Sequence, residues 1–339
     1  MAGIPRTPLS YAHWIKEDPV RRGLLYLGTE NALYVSFNDG ALWQPLQSNL
    51  PHAPVHDITV QEHFNDLVIA TYGRGFWILD DITPLRQITP AVLQTDAYLF
   101  RPPVAWRFKW NKNTDTPLPP DEPTRPNPPD GVIISYYLGA GARGPVTLEI
   151  ANVDGTVIRR YGSDDPAEPP VESPNMPDYW IRPAQKLLAT PGLHRFVWDV
   201  RYAPPAVGSL GYAIAAVPYN TPKTPQGMWT MPGQYQVRLT VGSRTERQPV
   251  QVKLDPRVRT SVVDLTLQFK LSKAIDDALR ALATARAGAS PERLTAINAA
   301  AAPLGGLLAT LQGADARPTA ATEAAVAAAL ARVADVMAK

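Results

Sequence analysis

The pattern of apolar and polar positions divides the chain into a β-rich part and a helical part. From Leu24 to Leu254, short apolar or alternating runs are separated by Gly, Pro, Asn and Asp, which is typical of short strands joined by turns. After Asp255-Pro256-Arg257, apolar residues recur at helical spacing in an alanine-rich background. The pattern therefore predicts a mainly β fold with an α-helical C-terminus.

The first part of the chain is predicted to contain short strands that pair through tight turns. The predicted strands are Leu24–Gly28, Leu33–Val35, Trp43–Leu46, Val55–Val60, Leu67–Thr71 and Phe76–Leu79. Upstream of them, Ala12–Asp18 is predicted to form a helical turn that Pro19 ends, because proline has no backbone N–H.

One octet between two of these strands predicts a specific hairpin turn. It has the spacing Ser36-x-Asn38-x-Gly40-x-x-Trp43. A short polar side chain at this spacing closes the turn onto its own backbone, and glycine supplies a positive φ. We expect the tryptophan to fill the base of the hairpin, so that the octet is a fold element and not a binding site.

This octet resembles the Asp-box of bacterial neuraminidase repeats, with Asn38 where the family most often has Asp. The Asp-box lies on the hairpin between the third and fourth strands of a β-propeller blade. The segments Gly23–Glu30 and Ala70–Asp81 are similar to the end of the propeller in bacterial sortilin-like proteins, many of which are labelled glycosyl hydrolases. In the second segment the end motif comprises Gly73, Arg74, Gly75, Trp77, Asp80 and Asp81.

The resemblance implies that residues 1–95 are a partial Asp-box propeller, its last one to two blades. A propeller closes a ring of several blades, because each sheet buries its faces against its neighbours. Fewer than two blades are predicted here, so we expect a C-terminal fragment whose partner is the rest of its own propeller. On that interpretation residues 24–81 would leave apolar sheet faces exposed. The alternative is an ordinary β-meander packed on the following domain.

Residues 96–130 are predicted to be a connecting strand and a Pro-rich linker. The segments Ala97–Pro103 and Val104–Trp110 predict one extended strand, and Thr116–Pro129 is too rich in proline for a helix or a central strand. Three aromatic residues share one face of the strand and could stack on sugar rings, although core packing is the alternative. They are Trp106, Phe108 and Trp110.

Residues 131–256 are predicted to form an Ig-like β-sandwich. The predicted strands are Gly131–Leu138, Val146–Ile150, Thr156–Tyr161, His194–Val200, Tyr235–Val241 and Gln248–Leu254. The hairpin from Val146 to Tyr161 resembles the Ig-like domain of flagellar hook-capping type that trails many secreted bacterial enzymes. The insertion between Tyr202 and Met231 is predicted to be a long loop.

Residues 257–339 are predicted to form a small helical hairpin or bundle. Ser290 is a good N-terminal cap, with Pro291 at the first helical position. Pro303 and Gly305-Gly306 are expected to kink or break the second helix. A coiled-coil partner is the functional alternative for these helices.

Composition narrows the range of functions. The 339-residue chain has a net charge of +2, so we expect no nucleic acid or anionic membrane as a partner, and no membrane insertion. It has no cysteine, which excludes disulfides and thiolate metal sites. We expect no signal peptide, because Met1–Ser10 is polar. The resembled family would nevertheless be secreted or periplasmic.

The sequence contains no recognised catalytic or cofactor motif. His52 and His56 are four residues apart, but Pro51 and Pro54 prevent a regular helix there, so the prediction is no metal and no cofactor. Asp80 and Asp81 are adjacent and should point to opposite faces of a strand, which is a poor arrangement for two-carboxylate catalysis. We therefore expect the chain alone to cleave no glycosidic bond.

Two hypotheses remain. The chain is either the C-terminal part of a sortilin-like Asp-box protein with a binding or scaffolding role for an unknown carbohydrate or protein ligand, or the non-catalytic remainder of a secreted glycosyl hydrolase. In the second case, the catalytic residues lie on blades outside this chain.

Overall fold

A computed structural model describes residues 2–109, 121, 127–167, 176–205, 211–212 and 219–338. Strands are the commoner regular element among these residues, and the C-terminal region is helical, as predicted. They divide into two compact units. The first unit contains Met1–Pro103, Ile133–Gly144 and Ala189–Arg195, and the second contains Val104–Val132, Pro145–Leu188 and Phe196–Lys339.

The strands and helices of the described residues are, in chain order, β1 (Ala12–Glu17), β2 (Leu25–Thr29), β3 (Leu33–Ser36), β4 (Gln44–Pro45), β5 (Val55–Gln61), β6 (Asp66–Thr71), β7 (Phe76–Leu79), α1 (Thr83–Gln87), α2 (Pro90–Leu93), β8 (Ala97–Leu99), β9 (Ala105–Arg107), β10 (Val132–Leu138), β11 (Val146–Asn152), β12 (Val157–Gly162), β13 (Gly192–Trp198), β14 (Gly211–Tyr212), β15 (Lys223–Thr224), β16 (Gly233–Val241), β17 (Arg244–Leu254), α3 (Val262–Ala285), α4 (Pro291–Gln312) and α5 (Ala320–Met337).

The first sheet of the first unit is a four-stranded antiparallel meander in the order β1-β2-β3-β4. The helical turn predicted for residues 12–18 is wrong, because these residues form the edge strand β1, which pairs with β2 from Ala12↔Thr29 to Glu17↔Leu25. Its sequence lacks regular alternation and most of its side chains are exposed. The strand conformation of β1 therefore depends on its pairing with β2 and not on its own sequence pattern.

The second sheet is three-stranded, in the order β5-β6-β7, and its strands are those predicted from the sequence. The two sheets share one apolar core. Residues of this core include Tyr26, Leu33, Val35, Ile58, Leu67 and Ile69. Leu67 is fully buried, whereas Val68 and Ala70 on the other face of β6 are half-buried. The expectation that residues 24–81 leave their sheet faces exposed is therefore wrong for the inner faces, which cover each other, whereas Phe76 and Ile78 on the outer face of β7 are exposed.

A buried ion pair joins the two sheets of the first unit. Arg86 on α1 donates through Nε to both carboxylate oxygens of Asp18, at 2.9 and 3.0 Å. Asp18 follows β1 and its side chain is fully buried. It also accepts hydrogen bonds from the N–H groups of Val20 and Arg21. Arg86 donates in addition to Asn65 Oδ1 at 2.5 Å, in the turn between β5 and β6.

The strand predicted to run continuously through residues 97–110 is instead two short strands in different sheets. β8 pairs with β10, and the sheet order is β13-β10-β8. β9 pairs in parallel with β17 at the edge of another sheet. The prolines between them, Pro102 and Pro103, have no N–H to donate to a continuous ladder, which accounts for the break. The predicted Pro-rich linker lies largely outside the described residues.

The main sheet of the second unit has the order β12-β11-β16-β17-β9. The predicted hairpin of β11 and β12 is present, with Gly155 at φ +91° in its turn. β16 and β17 pair through Gly242 at φ +56°. Residues 202–231 are not simply a loop, because among their described residues β14 pairs with β15 and Met228 is buried.

The three C-terminal helices pack around one apolar cluster. Each begins at a hydroxyl cap, and Ser290 accepts from Arg293 N–H at 3.3 Å as its position before Pro291 predicts. Pro303 does not break α4, which runs to Gln312. Burial of Ile297 and Leu304 in the cluster offsets the lost backbone hydrogen bond.

Among the described helices, α4 alone is long and apolar enough to cross a membrane by length and composition. Its residues Ala300, Leu308 and Leu311 lie in the same cluster as residues of α3 and α5. A core helix of a bundle satisfies the same criterion, so composition alone does not distinguish the two situations.

Breaking the buried ion pair should destabilise the first unit strongly. Asp18→Asn leaves the guanidinium of Arg86 buried without a counter-charge, and we expect the free energy of unfolding to fall by about 3–5 kcal/mol. The measurement is urea unfolding of the full chain. Asp277→Asn is the matched control, since the Lys273–Asp277 pair is exposed and should contribute no more than about 0.5 kcal/mol. Equal effects of the two substitutions would contradict the role given to Asp18.

Candidate functional site

The predicted octet forms the turn between β3 and β4. Asn38 Oδ1 accepts from the hydroxyl of Ser36 at 3.0 Å and from the N–H of Leu42 at 2.9 Å. The Ser36 hydroxyl oxygen in turn accepts from the N–H of Gly40 at 3.0 Å. The side chains of Ser36 and Asn38 are therefore both engaged within the turn itself.

The remaining residues of the octet complete the hairpin. Asp39 and Gly40 take φ values of +57° and +81°, the left-handed region that glycine adopts without strain. The Trp43 ring is 3% exposed and packs in a cluster with Leu27, Ala32 and Tyr34. A ring buried in this way has no free face on which a sugar could stack.

The glycines of the end motif form the turn between β6 and β7. Gly73 and Gly75 have φ values of +76° and +73°, and Gly75 O accepts from the N–H of Thr71 at 3.1 Å. Trp77 Nε1 donates to Arg74 O at 3.0 Å. These residues close a hairpin, and Trp77 also packs against the apolar core of the first unit.

Asp80 and Asp81 follow β7, and their two carboxyl groups differ in environment. Asp81 Oδ1 accepts from the N–H and the hydroxyl of Thr83, at 3.0 and 2.6 Å. Burial raises the pKa of Asp81, and the hydrogen bonds from Thr83 partly oppose this shift. Burial also raises the pKa of Asp80, with the nearby charge of Asp66 as the second cause.

A cavity of about 240 Å³ lies beside Asp81 within the first unit. Its walls are mainly apolar, and its polar residues include Asp81, His194 and Arg195. The Arg195 guanidinium is engaged, because it donates to Asp80 O at 2.5 Å and to Asp81 O at 3.3 Å. The volume is below the roughly 300–1,000 Å³ of typical ligand pockets.

Of the three aromatic residues proposed as sugar-stacking candidates, the structure describes two. Trp106 lies on β9, is half-buried, and has the ammonium of Lys253 5.5 Å from its ring centroid. Phe108 is half-buried and follows the end of the strand, and Trp110 lies outside the described residues. Lys253 thus makes a cation–π contact with one face of the Trp106 ring.

A cluster of possible metal ligands in the first unit was missed from the sequence. The ligand atoms of His13, Glu30 and His56 all lie within 4.8 Å of one another. His13 is on β1, Glu30 is in the turn after β2, and His56 is on β5. The sequence interpretation paired His56 with His52, but His52 hydrogen-bonds instead to Asn31 O at 3.1 Å.

Aromatic rings and hydrogen bonds order this cluster. His13 Nε2 donates to Glu30 Oε2 at 2.6 Å, and this bond is the main reason why the pKa of Glu30 is lowered. The His13 and His56 rings are 4.4 Å apart between centroids. Tyr11 packs edge-on against His13 at 4.9 Å, and Tyr72 stacks on His56 at 5.7 Å. No short motif could have indicated this group, because three separate segments contribute to it.

The second unit contains its own buried charge cluster, which has a structural role. Asp315, between α4 and α5, accepts from Arg107 Nη2 at 2.6 Å and lies 3.1 Å from Lys109 Nζ. Arg107 also donates to Thr230 O at 2.5 Å. Burial lowers the pKa of Lys109 to about 8, although the charge of Asp315 opposes the shift. These bonds attach the end of β9 to the helical region.

Compared with known proteins, the chain matches no family model, no curated protein and no solved structure. Its function is therefore inferred from its own residues.

The burial of Trp43 predicts a large loss of stability on truncation. We expect Trp43→Ala to lower the free energy of unfolding by about 3–5 kcal/mol, because it removes a buried aromatic ring and leaves a cavity. Trp14→Ala is the control, since that ring is 45% exposed and its loss should change stability by no more than about 0.5 kcal/mol. Unchanged stability of Trp43→Ala together with lost glycan affinity would instead make Trp43 a ligand platform.

The raised pKa of Asp81 predicts a pH-dependent effect of substitution. When folding raises the pKa of a group, that group stabilises the folded state at pH values below its pKa in the unfolded chain. This contribution is lost as the pH rises through the pKa of the group in the folded chain. Asn at position 81 keeps an acceptor for Thr83 but has no charge to bury. Asp81→Asn should therefore gain stability relative to the unsubstituted chain as the pH increases from acid to neutral, measured by urea unfolding.

Asp154→Asn provides a control of opposite sign. Hydrogen bonds from Thr156 lower the pKa of Asp154, so this carboxylate contributes stability above its unfolded pKa and loses it as the pH falls. The free energy of unfolding of Asp154→Asn should thus fall relative to that of the unsubstituted chain as the pH rises. The same trend for both variants would contradict the assignment for Asp81.

Proposed function

We propose that this chain is the C-terminal part of a sortilin-like Asp-box β-propeller protein and has a binding or scaffolding role. The observation that carries the proposal is the position and bonding of the octet. Its hydrogen-bonded turn lies between the third and fourth strands of a four-stranded antiparallel meander. Asp-box repeats have their motif at the same place in a blade.

The packing of the two sheets supports the same proposal. Residues of both sheets, such as Val35 of the first and Ile58 of the second, lie in one core. Successive blades of a propeller bury their faces against each other in this way. Phe196 and Trp198 of β13 contact Tyr161 and Tyr235 of the five-stranded sheet. This contact between residues of two different sheets supports an Ig-like domain after the blades.

The outer strands of the sheet pair supply a surface for a partner. β1 and β7 each have a hydrogen-bonded neighbour on one side only among the described strands. β1 exposes Trp14 and Ile15, and β7 exposes Phe76 at 80% and Ile78 at 59%. Unpaired strand edges with large apolar side chains favour association with further strands. The partner is therefore the rest of its own propeller, and a second copy can substitute for it in the isolated chain.

A non-catalytic role fits the carboxyl groups. Asp81 is held by Thr83, and the adjacent Asp80 lies beside it in the chain, whereas glycosidases place two separately positioned acids on either side of the scissile bond. Incubation of the full chain with aryl glycosides and sialosides should give no turnover. Turnover that Asp81→Asn abolishes would favour the glycosyl hydrolase class.

Self-association of the full chain tests the binding surface. We expect concentration-dependent association in sedimentation velocity, and a shift towards monomer in Phe76→Ser and Ile78→Ser, because these changes remove apolar surface from the β7 edge. Val153→Ser is the matched control, since Val153 is also 80% exposed but lies on the turn after β11. A chain that is monomeric at all concentrations, or that responds equally to the control, would overturn the proposed edge contact.

A further inference from the structure

We propose that His13, Glu30 and His56 form a binding site for a divalent transition metal ion, with Zn²⁺ as the preferred ion. Two imidazoles and one carboxylate converge with their ligand atoms within 4.8 Å of one another. The site is separate from the octet. It does not depend on membership of a propeller family.

The ligand types match borderline-soft divalent ions. Zinc is held in proteins by imidazole nitrogen and carboxylate oxygen at about 2.0–2.2 Å, and sets of two histidines and one glutamate occur with an open fourth position. Mg²⁺ and Ca²⁺ prefer oxygen ligands in larger number, so this site should discriminate against them. His56 is exposed, which leaves the fourth position accessible to water.

The distances allow an ion to enter with small side-chain movements. In tetrahedral coordination, two ligand atoms are about 3.3–3.5 Å apart, from bond lengths of about 2.0–2.2 Å. His13 Nε2 and Glu30 Oε2 are now 2.6 Å apart around a shared proton. An ion would replace that proton and widen this pair, while the more distant ligand atom moves inwards. The rise of less than about 1 Å in the His13–Glu30 separation is within reach of ordinary rotation of surface side chains.

The surrounding residues orient the ligands. The Tyr11 and Tyr72 rings contact the two imidazoles, at 4.9 Å from His13 and 5.7 Å from His56 between ring centroids. Groups that hold metal ligands in place in this way raise affinity, because less side-chain freedom is lost on binding. Contacts of this kind distinguish the cluster from a chance meeting of surface histidines.

Metal binding would fasten β1 to both sheets. Its ligands come from β1, from the turn between β2 and β3, and from β5, which belongs to the second sheet. β1 buries little apolar surface. A ligand that binds only the folded arrangement stabilises it. The ion should therefore slow the opening of this edge strand.

Zinc titration of the untagged, chelator-treated full chain tests the site. Calorimetry at neutral pH should show a single equivalent of Zn²⁺ bound with micromolar affinity or tighter, and negligible binding of Mg²⁺ or Ca²⁺. His13→Ala, Glu30→Ala and His56→Ala should each weaken zinc binding by at least about tenfold, the smallest effect expected for a ligand. His63→Ala is the matched control, because His63 is an exposed histidine of the same unit outside the cluster.

Two further measurements separate a formed site from loose surface binding. Co²⁺ in the same site should give the intense visible absorption of tetrahedral coordination, and zinc should slow amide exchange in Ala12–Glu17. Without metal, the three variants should still unfold cooperatively and keep the far-UV circular dichroism of the unsubstituted chain, which excludes misfolding as the cause of lost binding.

The proposal would be overturned by zinc affinity that is unchanged in His13→Ala and His56→Ala, by an equal loss in His63→Ala, or by Ca²⁺ binding as tightly as Zn²⁺. The proposal would also be overturned if bound Co²⁺ gave the weak spectrum of octahedral coordination and zinc left the amide exchange rates of β1 unchanged.

Discussion

The buried contact between Asp18 and Arg86 is the interaction on which the first unit depends. One guanidinium reaches a carboxylate after β1 and an amide oxygen between β5 and β6, so that α1 joins both sheets. Charges removed from water must be fully paired to be tolerated. Asp18 meets this condition with two backbone N–H groups as well. Compared with apolar residues of the same size, the pair therefore adds little to the free energy of unfolding, and its main effect is to position the two sheets.

β1 shows why such polar contacts matter. Its burial pattern gives it few apolar contacts, and it lies at the edge of the sheet. At one end Asp18 anchors the chain to α1, and near the other His13 bonds to Glu30. An edge strand held mainly by charged groups at its two ends responds to ions and protons more than strands held by the core.

Sequence pattern recovered the elements whose signals are local. The strands flanking Asn38-Asp39-Gly40 and Asn152–Gly155 were predicted because turn residues and apolar alternation lie close together in the chain. The strand state of β1, the parallel pairing of β9 with β17 and the continuity of α4 through Pro303 depend on distant partners. The cluster of His13 and His56 was missed for the same reason, since neither residue has a neighbouring ligand in sequence. The turn bonds of Asn38 were accessible to prediction because all their partners lie within the octet.

The pair formed by Arg107 and Asp315 has a consequence for the order in which the chain acquires its structure during synthesis. The two residues are 208 positions apart. At about 5–20 residues per second, a ribosome needs about 10–40 s to reach Asp315 after making Arg107. β9 lacks its strand partner β17 for the first part of that interval, until Leu254 has been made, and it lacks the carboxylate for all of it. In a nascent chain, β9 therefore remains an unpaired strand until β17 has been made, and Arg107 lacks its counter-charge until Asp315 follows.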